Sequence, residues 1–467
     1  VFYVRSVATE RDRADAALAV AEAQRQRAET ERSEVILQHS ELLLRSDPTG
    51  ALAALAGYRG EDSQRRRRLI AEARGRGVAR AELSPHHTMI HFLAAEPAGT
   101  LLSAADAEVV RTECSASTTL ATDVSPNPLF AYAAAARRFA YTASPSGIAV
   151  LELSTGTSRH LSSGSLAALA IAPDGARLAA VDRTGTLRAW DLASGAQIHQ
   201  EAIAGALRVI SGAVDLQFAT PSRVVLRETT GLRAVSIDPS SGASSGASSG
   251  ASIALPVGTF AARARDVIAA DETGALTLLS PELAVVARLS VCRERIHAVR
   301  FAGETDLAAF ACQDGIAGAV RIDREARTLT AAGAFSAPHA LREVVPDAAG
   351  RWLIASGESS TTYVYDIANQ LLHAYDGQPA RVSITAGPVP GYERIASADV
   401  KGGLRVWDLP GGDARAIFQG SRTMYDLVFD PGSAAFTVSA FDGIVRRIRV
   451  ADGHVDELRG HNGVVHR

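Results

Sequence analysis

The sequence predicts an all-β propeller with four-stranded blades, preceded by an α-helical, weakly coiled-coil segment. Residues 5–45 contain no Gly or Pro and are rich in Ala, Arg, Glu and Leu, which favours a helix. From about residue 78, short apolar runs alternate with turn signals that recur roughly every 40–45 residues, a period typical of propeller blades. The 467 residues and 47% hydrophobic content fit a globular protein of more than one domain.

The first segment, residues 1–46, is expected to form one long helix. Its apolar positions follow the 3–4 spacing of a coiled coil: Ala14, Leu18, Ala21, Ala28, Val35 and Leu42. Arg25, Arg32 and His39 interrupt this stripe. Two interpretations stay open: self-association through residues 5–45, or a solvated spacer beside a membrane helix that precedes Val1.

Residues 47–77 are expected to form a short helical linker. Ser46 or Asp47 can cap its first helix, and a second helix is expected over about 61–74. The second helix contains the four consecutive arginines 65–68. Consecutive charges spread around a helix, and the net charge of the chain is −3, so nucleic acid is not favoured as a partner.

Three turns between predicted strands share one form: Asp182 to Gly185, Asp271 to Gly274, and Asp399 to Gly402. An Asp that opens a tight turn accepts hydrogen bonds from backbone N–H groups inside it, and the Gly accepts the backbone angles needed to re-enter a strand. The strands "TLRAWDL", "ALTLLS" and "GLRVWDL" follow these turns. We therefore assign these residues to a structural repeat signature.

The apolar–Arg–apolar–Trp–Asp strand occurs twice. Trp190–Asp191 and Trp407–Asp408 are separated by 217 residues, between positions 190 and 407, which is five repeats of about 43. Weaker copies lie between them, and "FDGIVRRIRV", with Asp442, follows them. Repeats of this length with four strands each predict propeller blades.

Alternation along this strand explains why it recurs. Leu187 and Ala189 point to one face of the strand, while Arg188 and Trp190 point to the other. A lone four-stranded sheet would expose one of these faces to water. In a propeller each blade covers the next, so every copy of the strand is expected to bury its neighbour.

These residues resemble the WD-repeat (WD40) family over about residues 78–467. Trp190–Asp191 and Trp407–Asp408 match its signature dipeptide, and Gly460–His461 matches the Gly-His that opens a unit. The resemblance implies a stiff, non-catalytic ring that binds other proteins.

The family also has a hydrogen-bonded His–Ser–Asp–Trp set within its units. The penultimate unit of this chain contains Ser397, Asp399 and Trp407, but we find no matching His at its start. The local polar network is therefore expected to be incomplete.

The repeats allow more than one arrangement. Because seven blades is the commonest ring in the family, we expect a seven-bladed propeller over 78–369 and the first blades of a second, truncated propeller over 370–467. A single ring of eight or nine blades is the alternative. Val78 to Leu83 are expected to form an outer strand that latches the ring, and the Ser-Gly-Ala stretch 240–252 is expected to be a flexible insertion in an outer-strand turn.

The sequence offers no convincing catalytic, cofactor or metal site. Cys114, Cys292 and Cys312 form no CxxC pair, so we expect buried hydrophobic side chains and no disulfide framework. "PHHTMIH", from Pro85 to His91, holds three histidines, but they straddle a loop and a strand start, so we interpret them as loop and edge residues.

A wider resemblance concerns the order of segments. A long helix, then "LLLRSDPTGALAAL", a short arginine-rich helix and WD repeats look like the C-terminal region of large bacterial signalling proteins. In those proteins a serine/threonine kinase or a signalling NTPase precedes the repeats, often with a membrane helix between. The resemblance implies that catalysis lies in a missing N-terminal part. It leaves the compartment open: cytoplasmic, or outside the cytoplasm behind a membrane helix.

Overall fold

Among the residues that the structure describes, a helical segment is followed by nine four-stranded sheets. The computed structural model describes residues 2–96, 100–113, 116–126, 128–203, 216–238, 250–376, 378, 380–387, 394–401, 404–409, 424–429, 435–440, 445–449 and 454–459. The chain divides into two compact units, Val1–Leu409 and Pro410–Arg467.

Three helices open the chain: α1 (Phe2–Leu43), α2 (Pro48–Ala56) and α3 (Ser63–Gly75). Two aspartates cap the shorter helices. Asp47 Oδ1 accepts a hydrogen bond from the backbone N–H of Gly50 at 2.9 Å, and Asp62 Oδ1 accepts one from Arg65 at 2.8 Å. Each carboxylate satisfies an N–H group that has no partner within its helix.

The helices share a small apolar core of their own. Leu37 and Leu44 near the end of α1 pack against Leu55 of α2 and Leu69 of α3. Between Arg13 and Val35, nearly every residue of α1 is exposed. Among the described residues, we find no helix with the length and apolar character needed to cross a bilayer.

The strands of the first unit form eight antiparallel sheets, which we number blades 1–8. The single strand β1 (Ala81–Leu83) comes first in the chain and belongs to blade 8. The strands of blades 1–4 follow in chain order, four to a blade: β2 (Phe92–Ala95), β3 (Thr100–Ala104), β4 (Val109–Glu113), β5 (Ala116–Ala121), β6 (Phe130–Ala133), β7 (Arg138–Thr142), β8 (Ile148–Glu152), β9 (Thr157–Leu161), β10 (Leu166–Ile171), β11 (Arg177–Asp182), β12 (Thr186–Asp191), β13 (Gln197–Ala202), β14 (Leu216–Thr220), β15 (Arg223–Arg227), β16 (Gly231–Ser236) and β17 (Ser252–Ala254).

Blades 5–7 repeat the same order, and blade 8 has only three consecutive strands. Their strands are β18 (Thr259–Arg263), β19 (Asp266–Ala270), β20 (Ala275–Leu279), β21 (Val285–Ser290), β22 (Ile296–Phe301), β23 (Leu307–Cys312), β24 (Ile316–Asp323), β25 (Thr328–Ser336), β26 (Leu341–Pro346), β27 (Trp352–Gly357), β28 (Thr362–Asp366), β29 (Leu371–Tyr375), β30 (Val382–Ala386), β31 (Arg394–Asp399) and β32 (Leu404–Asp408).

The fourth strand of blade 8 comes from the start of the chain. β1 pairs antiparallel with β32, and Ala81 lies opposite Val406. The blade that closes the ring therefore joins strands more than 300 residues apart in the sequence.

Apolar contacts close the ring on both sides of blade 8. Ile395 and Trp407 of blade 8 share a core with Trp352 of blade 7, and Leu404 shares another with Leu101 of blade 1. The fold is thus an eight-bladed β-propeller with four-stranded blades and a preceding helix, which confirms the predicted fold class.

The number of blades corrects one sequence prediction. A seven-bladed ring over 78–369 is wrong, because residues 382–408 with β1 form an eighth blade, and the first compact unit continues to Leu409. The eight-bladed alternative is the one observed. Repeat spacing counts units but does not reveal where the ring closes, since closure depends on how the blades pack.

The second unit contains one antiparallel sheet of four strands in chain order: β33 (Met424–Phe429), β34 (Ala435–Ala440), β35 (Val445–Arg449) and β36 (Val455–Leu458). That is the strand order of a blade. Gly402, Asp442, Gly460 and His461 of the predicted signature lie outside the described residues.

Candidate interaction face of the ring

The strands of each blade run alternately up and down, which gives the ring two faces. We define the upper face as the one that carries the turns between second and third strands and the connections between blades. The lower face carries the turns between first and second strands and between third and fourth strands. Loops on the faces of a rigid ring are where a propeller can present binding residues.

Two of the predicted Asp–Gly turns lie on the upper face with their expected geometry. Asp182 Oδ1 accepts hydrogen bonds from the backbone N–H groups of Thr184 and Thr186, both at 2.9 Å, and its Oδ2 accepts one from Arg188 at 2.7 Å. Burial raises the pKa of Asp182, but these hydrogen bonds outweigh burial and lower the pKa to about 2. Gly185 has a φ of +86°, which favours glycine.

Asp271 opens an equivalent turn in blade 5. Its Oδ1 accepts from the backbone N–H groups of Thr273 and Ala275, both at 2.9 Å, and its Oδ2 accepts from Arg288 at 2.8 Å. Despite burial, these bonds lower the pKa of Asp271. At Gly274, with a φ of +84°, an added Cβ would lie 2.3 Å from the carbonyl oxygen of Cys292. The turn therefore has no space for a side chain.

In each Trp–Asp pair the tryptophan lies in the core between blades, and the aspartate lies at the lower face. Trp190 packs in the core between blades 2 and 3, whereas Leu187 and Ala189 pack toward blade 4, as the alternation predicts. Asp191 lies at the lower face, where its Oδ1 accepts from the N–H of Ser194 at 2.8 Å.

Trp407 is fully buried between blades 7 and 8. Its partner Asp408 is more than half exposed and accepts a hydrogen bond from Arg394 Nε at 2.9 Å. In both pairs, therefore, the tryptophan packs between blades while the aspartate lies at the surface.

Blade 8 holds a variant of the His–Ser–Asp–Trp set. The indole Nε1 of Trp407 donates to Ser397 Oγ at 2.8 Å, and Gln378 Nε2 donates to the same Oγ at 2.7 Å. Asp399 is fully buried and accepts from the backbone N–H of Lys401 at 2.8 Å. Gln378 thus supplies the side-chain nitrogen that a His would supply. Its position, two repeats before His461, is the sequence signal that could have identified it.

Blade 1 holds the complementary fragment of that set. His86 is buried, with its Nε2 2.8 Å from Ser103 Oγ and its Nδ1 3.1 Å from Glu108 Oε1. Burial lowers the pKa of His86, although Glu108 opposes this effect. His86 lies in the loop between β1 and β2 and is buried there, whereas His87 in the same loop is exposed.

The cysteines correct another expectation. Cys292, in the connection between blades 5 and 6, and Cys312, at the end of β23, form a disulfide with their Cα atoms 6.5 Å apart. Asp314 lies beside them, but sulfurs bonded to each other are not free to bind a metal. Spacing could not predict this pair, because the blade connection brings the two residues together. Cys114 lies outside the described residues.

A polar cluster lies on the upper face at blades 6–8. We call it the upper-face cluster, and it consists of Arg295, His297, Gln313, Arg342, Glu358 and Arg381. Arg342 Nε donates to Glu358 Oε1 at 2.8 Å, and both side chains are over 40% exposed. The Arg342 hydrogen bond lowers the pKa of Glu358, and Arg381 adds to the effect.

Half-burial lowers the pKa of His297, which bonds to Gln313, and the positive charges of Arg342 and Arg295 lower it further. These effects favour the neutral form of this histidine. Three arginines then share the cluster with one glutamate. The exposed guanidinium groups of Arg342 and Arg381 can bind carboxylates, and Asp314 and Asp376 lie on the same face.

The ring, its closing strand and its upper face define an eight-bladed β-propeller. Its fold is similar to the C-terminal WD40 domain of Sif2, with a TM-score of 0.55 and 12% identity over 71% of this chain and 98% of that one. It is also similar to the computationally designed Ika8 protein, with a TM-score of 0.54 and 15% identity over 70% of this chain and 98% of that one.

The β-propeller domain of Cps50 (Swd1) from Myceliophteria thermophila gives a TM-score of 0.46 and 13% identity over 60% of this chain and 96% of that one. No protein-family model and no curated protein matches the sequence. Likeness at these identities shows the fold alone.

Proposed function

We propose that the ring is a non-catalytic platform that binds an acidic segment of another protein through the upper-face cluster. The observation that carries the proposal is the pair of exposed arginines in this cluster, Arg342 and Arg381, which both lower the pKa of Glu358. Exposed guanidinium groups on a rigid scaffold suit bidentate binding of carboxylates. Asp182 and Asp271 accept hydrogen bonds within their own turns, which supports a structural role for them.

A pull-down with the full chain tests this proposal. The double variant Arg342→Ala/Arg381→Ala should lose the bound partner. Arg265→Ala is the matched control, because Arg265 is half-exposed on the lower face. Equal capture by all three proteins would contradict the upper-face assignment. A synthetic acidic peptide identified from the captured partner should bind more weakly as salt rises.

We further propose that this chain is the regulatory part of a larger bacterial signalling protein, in which a membrane-anchored serine/threonine kinase precedes Val1. The resemblance in segment order motivates the idea. The Cys292–Cys312 disulfide supports a ring outside the cytoplasm, since disulfides persist in oxidising compartments. Sequencing the gene upstream of Val1 tests it, and the absence of a kinase domain there would end it. We also propose that residues 410–467 begin a second propeller. Sequencing the gene downstream of Arg467 tests this idea, and the absence of further repeats there would end it.

A further inference from the structure

One face of α1 carries a row of exposed residues, which we call the seam, and several of them are apolar. Leu18, Val35 and Leu42 are 60%, 62% and 76% exposed. The contacts of α1 with α2 and α3 use another face, where Leu37 and Ser40 are buried. The seam therefore continues past the helical core without being covered by it.

The seam has the geometry of a coiled coil. Its members alternate at spacings of four and three residues, with small or apolar residues at one set of positions and bulkier residues at the other. The first set is Ala14, Ala21, Ala28, Val35 and Leu42, and the second set is Leu18, Arg25, Arg32 and His39. Every member of both sets is exposed.

We propose that two copies of this chain pair through α1 as an antiparallel coiled coil. In the register that places Leu18 of one copy against Val35 of the other, every residue of the second set faces a residue of the first set. Arg25 then lies opposite Ala28, and Arg32 lies opposite Ala21. Each long side chain meets a small one, so the layers fill without crowding.

Charge selects this orientation over the parallel one. In a parallel, in-register pair, Arg25 would face Arg25 of the second copy, and Arg32 would face Arg32. In the antiparallel register, Arg25 lies beside Glu29 of the second copy, and Arg32 beside Glu22. Within one chain Arg25 pairs with its own Glu29 at 3.0 Å, but both side chains are over 60% exposed, so exchanging this pair costs little.

Measurement of the solution mass by light scattering tests the pairing. The full chain should have the mass of two copies, and Leu18→Glu/Val35→Glu should have the mass of one. Val20→Glu is the matched control, since Val20 is 58% exposed but lies off the seam, and this variant should stay dimeric. A monomeric unsubstituted chain, or a dimer that survives the double substitution, would overturn the proposal.

Cysteine cross-linking tests the orientation. A mixture of Leu18→Cys and Val35→Cys chains should yield the mixed cross-link, with the unsubstituted chain giving the background from native cysteines. Efficient cross-linking of Leu18→Cys chains with each other would show a parallel pair and refute the register. Both substitutions lie at exposed positions, and circular dichroism verifies that the helix persists. Loss of pairing leaves the upper-face cluster intact, so partner capture reports separately on the proposed function.

Discussion

Arg405 of β32 is buried, and its guanidinium Nη1 lies 3.0 Å from Oδ1 of Asp47, which caps α2. This ion pair joins blade 8 to the helical segment that precedes blade 1 in the chain. A backbone contact supports it, since the N–H of Ala79, two residues before β1, donates to Thr49 Oγ1 at 3.0 Å. The helices are thus attached at the blade that closes the ring.

Asp47→Asn should destabilise this attachment. Asparagine keeps the helix cap but removes the charge that faces a buried guanidinium, and breaking a buried pair costs about 3–5 kcal/mol. Because Asp47 is 26% exposed and Arg405 makes further contacts, we expect about 1–3 kcal/mol. Urea denaturation measures the change. Asp62→Asn, the same substitution at the cap of α3, should be close to neutral, and equal losses in both variants would refute the ion-pair argument.

Trp407→Ala should destabilise the ring by about 3–5 kcal/mol, because the indole is fully buried between two blades. Trp407→Phe keeps most of the apolar contact and should lose less, including about 1 kcal/mol for the hydrogen bond to Ser397. Thermal or chemical unfolding measures both. An unchanged melting temperature for the alanine variant would argue instead for an exposed binding residue.

The stability of the ring should fall as the pH drops below about 6.5. Burial lowers the pKa of His86 in the folded state, so the unfolded chain takes up the proton first. The contribution of neutral His86 to stability is therefore fully present above the pKa of the histidine in the unfolded chain. It is lost progressively as the pH falls toward the pKa of His86 in the folded state.

His86→Gln should flatten this decline in denaturation curves recorded between neutral and mildly acidic pH. The decline should not vanish, since burial also lowers the pKa values of His297 and His373. His87→Gln, at an exposed neighbouring residue, is the control, and an identical slope in the two variants would contradict the prediction.

Reduction of the Cys292–Cys312 disulfide should lower stability by about 3 kcal/mol, from the loop-closure entropy of a sequence separation of 20 residues. Unfolding with and without dithiothreitol measures the difference. The double variant Cys292→Ala/Cys312→Ala should no longer respond to reductant. If the unsubstituted chain is equally insensitive to reductant under conditions where mass spectrometry shows free thiols, the bridge has no stabilising role.

The sequence predicted the features of this protein that depend on local chemistry. Strand alternation around Trp190 predicted which face each side chain occupies, and the Asp182 and Asp271 turns follow from the hydrogen-bonding capacity of Asp and the backbone freedom of Gly. The latching role of residues 78–83 was also visible, because that segment aligns with the outer strand near the end of the chain. These features depend on neighbours within a few residues or on the repeat itself.

Only the tertiary structure decided the number of blades, the Cys292–Cys312 bridge, and the pairing of Arg405 with Asp47. Each of these depends on contacts between segments whose proximity the repeat pattern does not predict. Closure of the ring brings Arg405 close to Asp47, whereas the connection between blades 5 and 6 brings Cys292 close to Cys312. Sequence periodicity specifies how one blade is built, whereas the angle at which blades pack determines how many complete a circle, and that angle is a property of all the interfaces together.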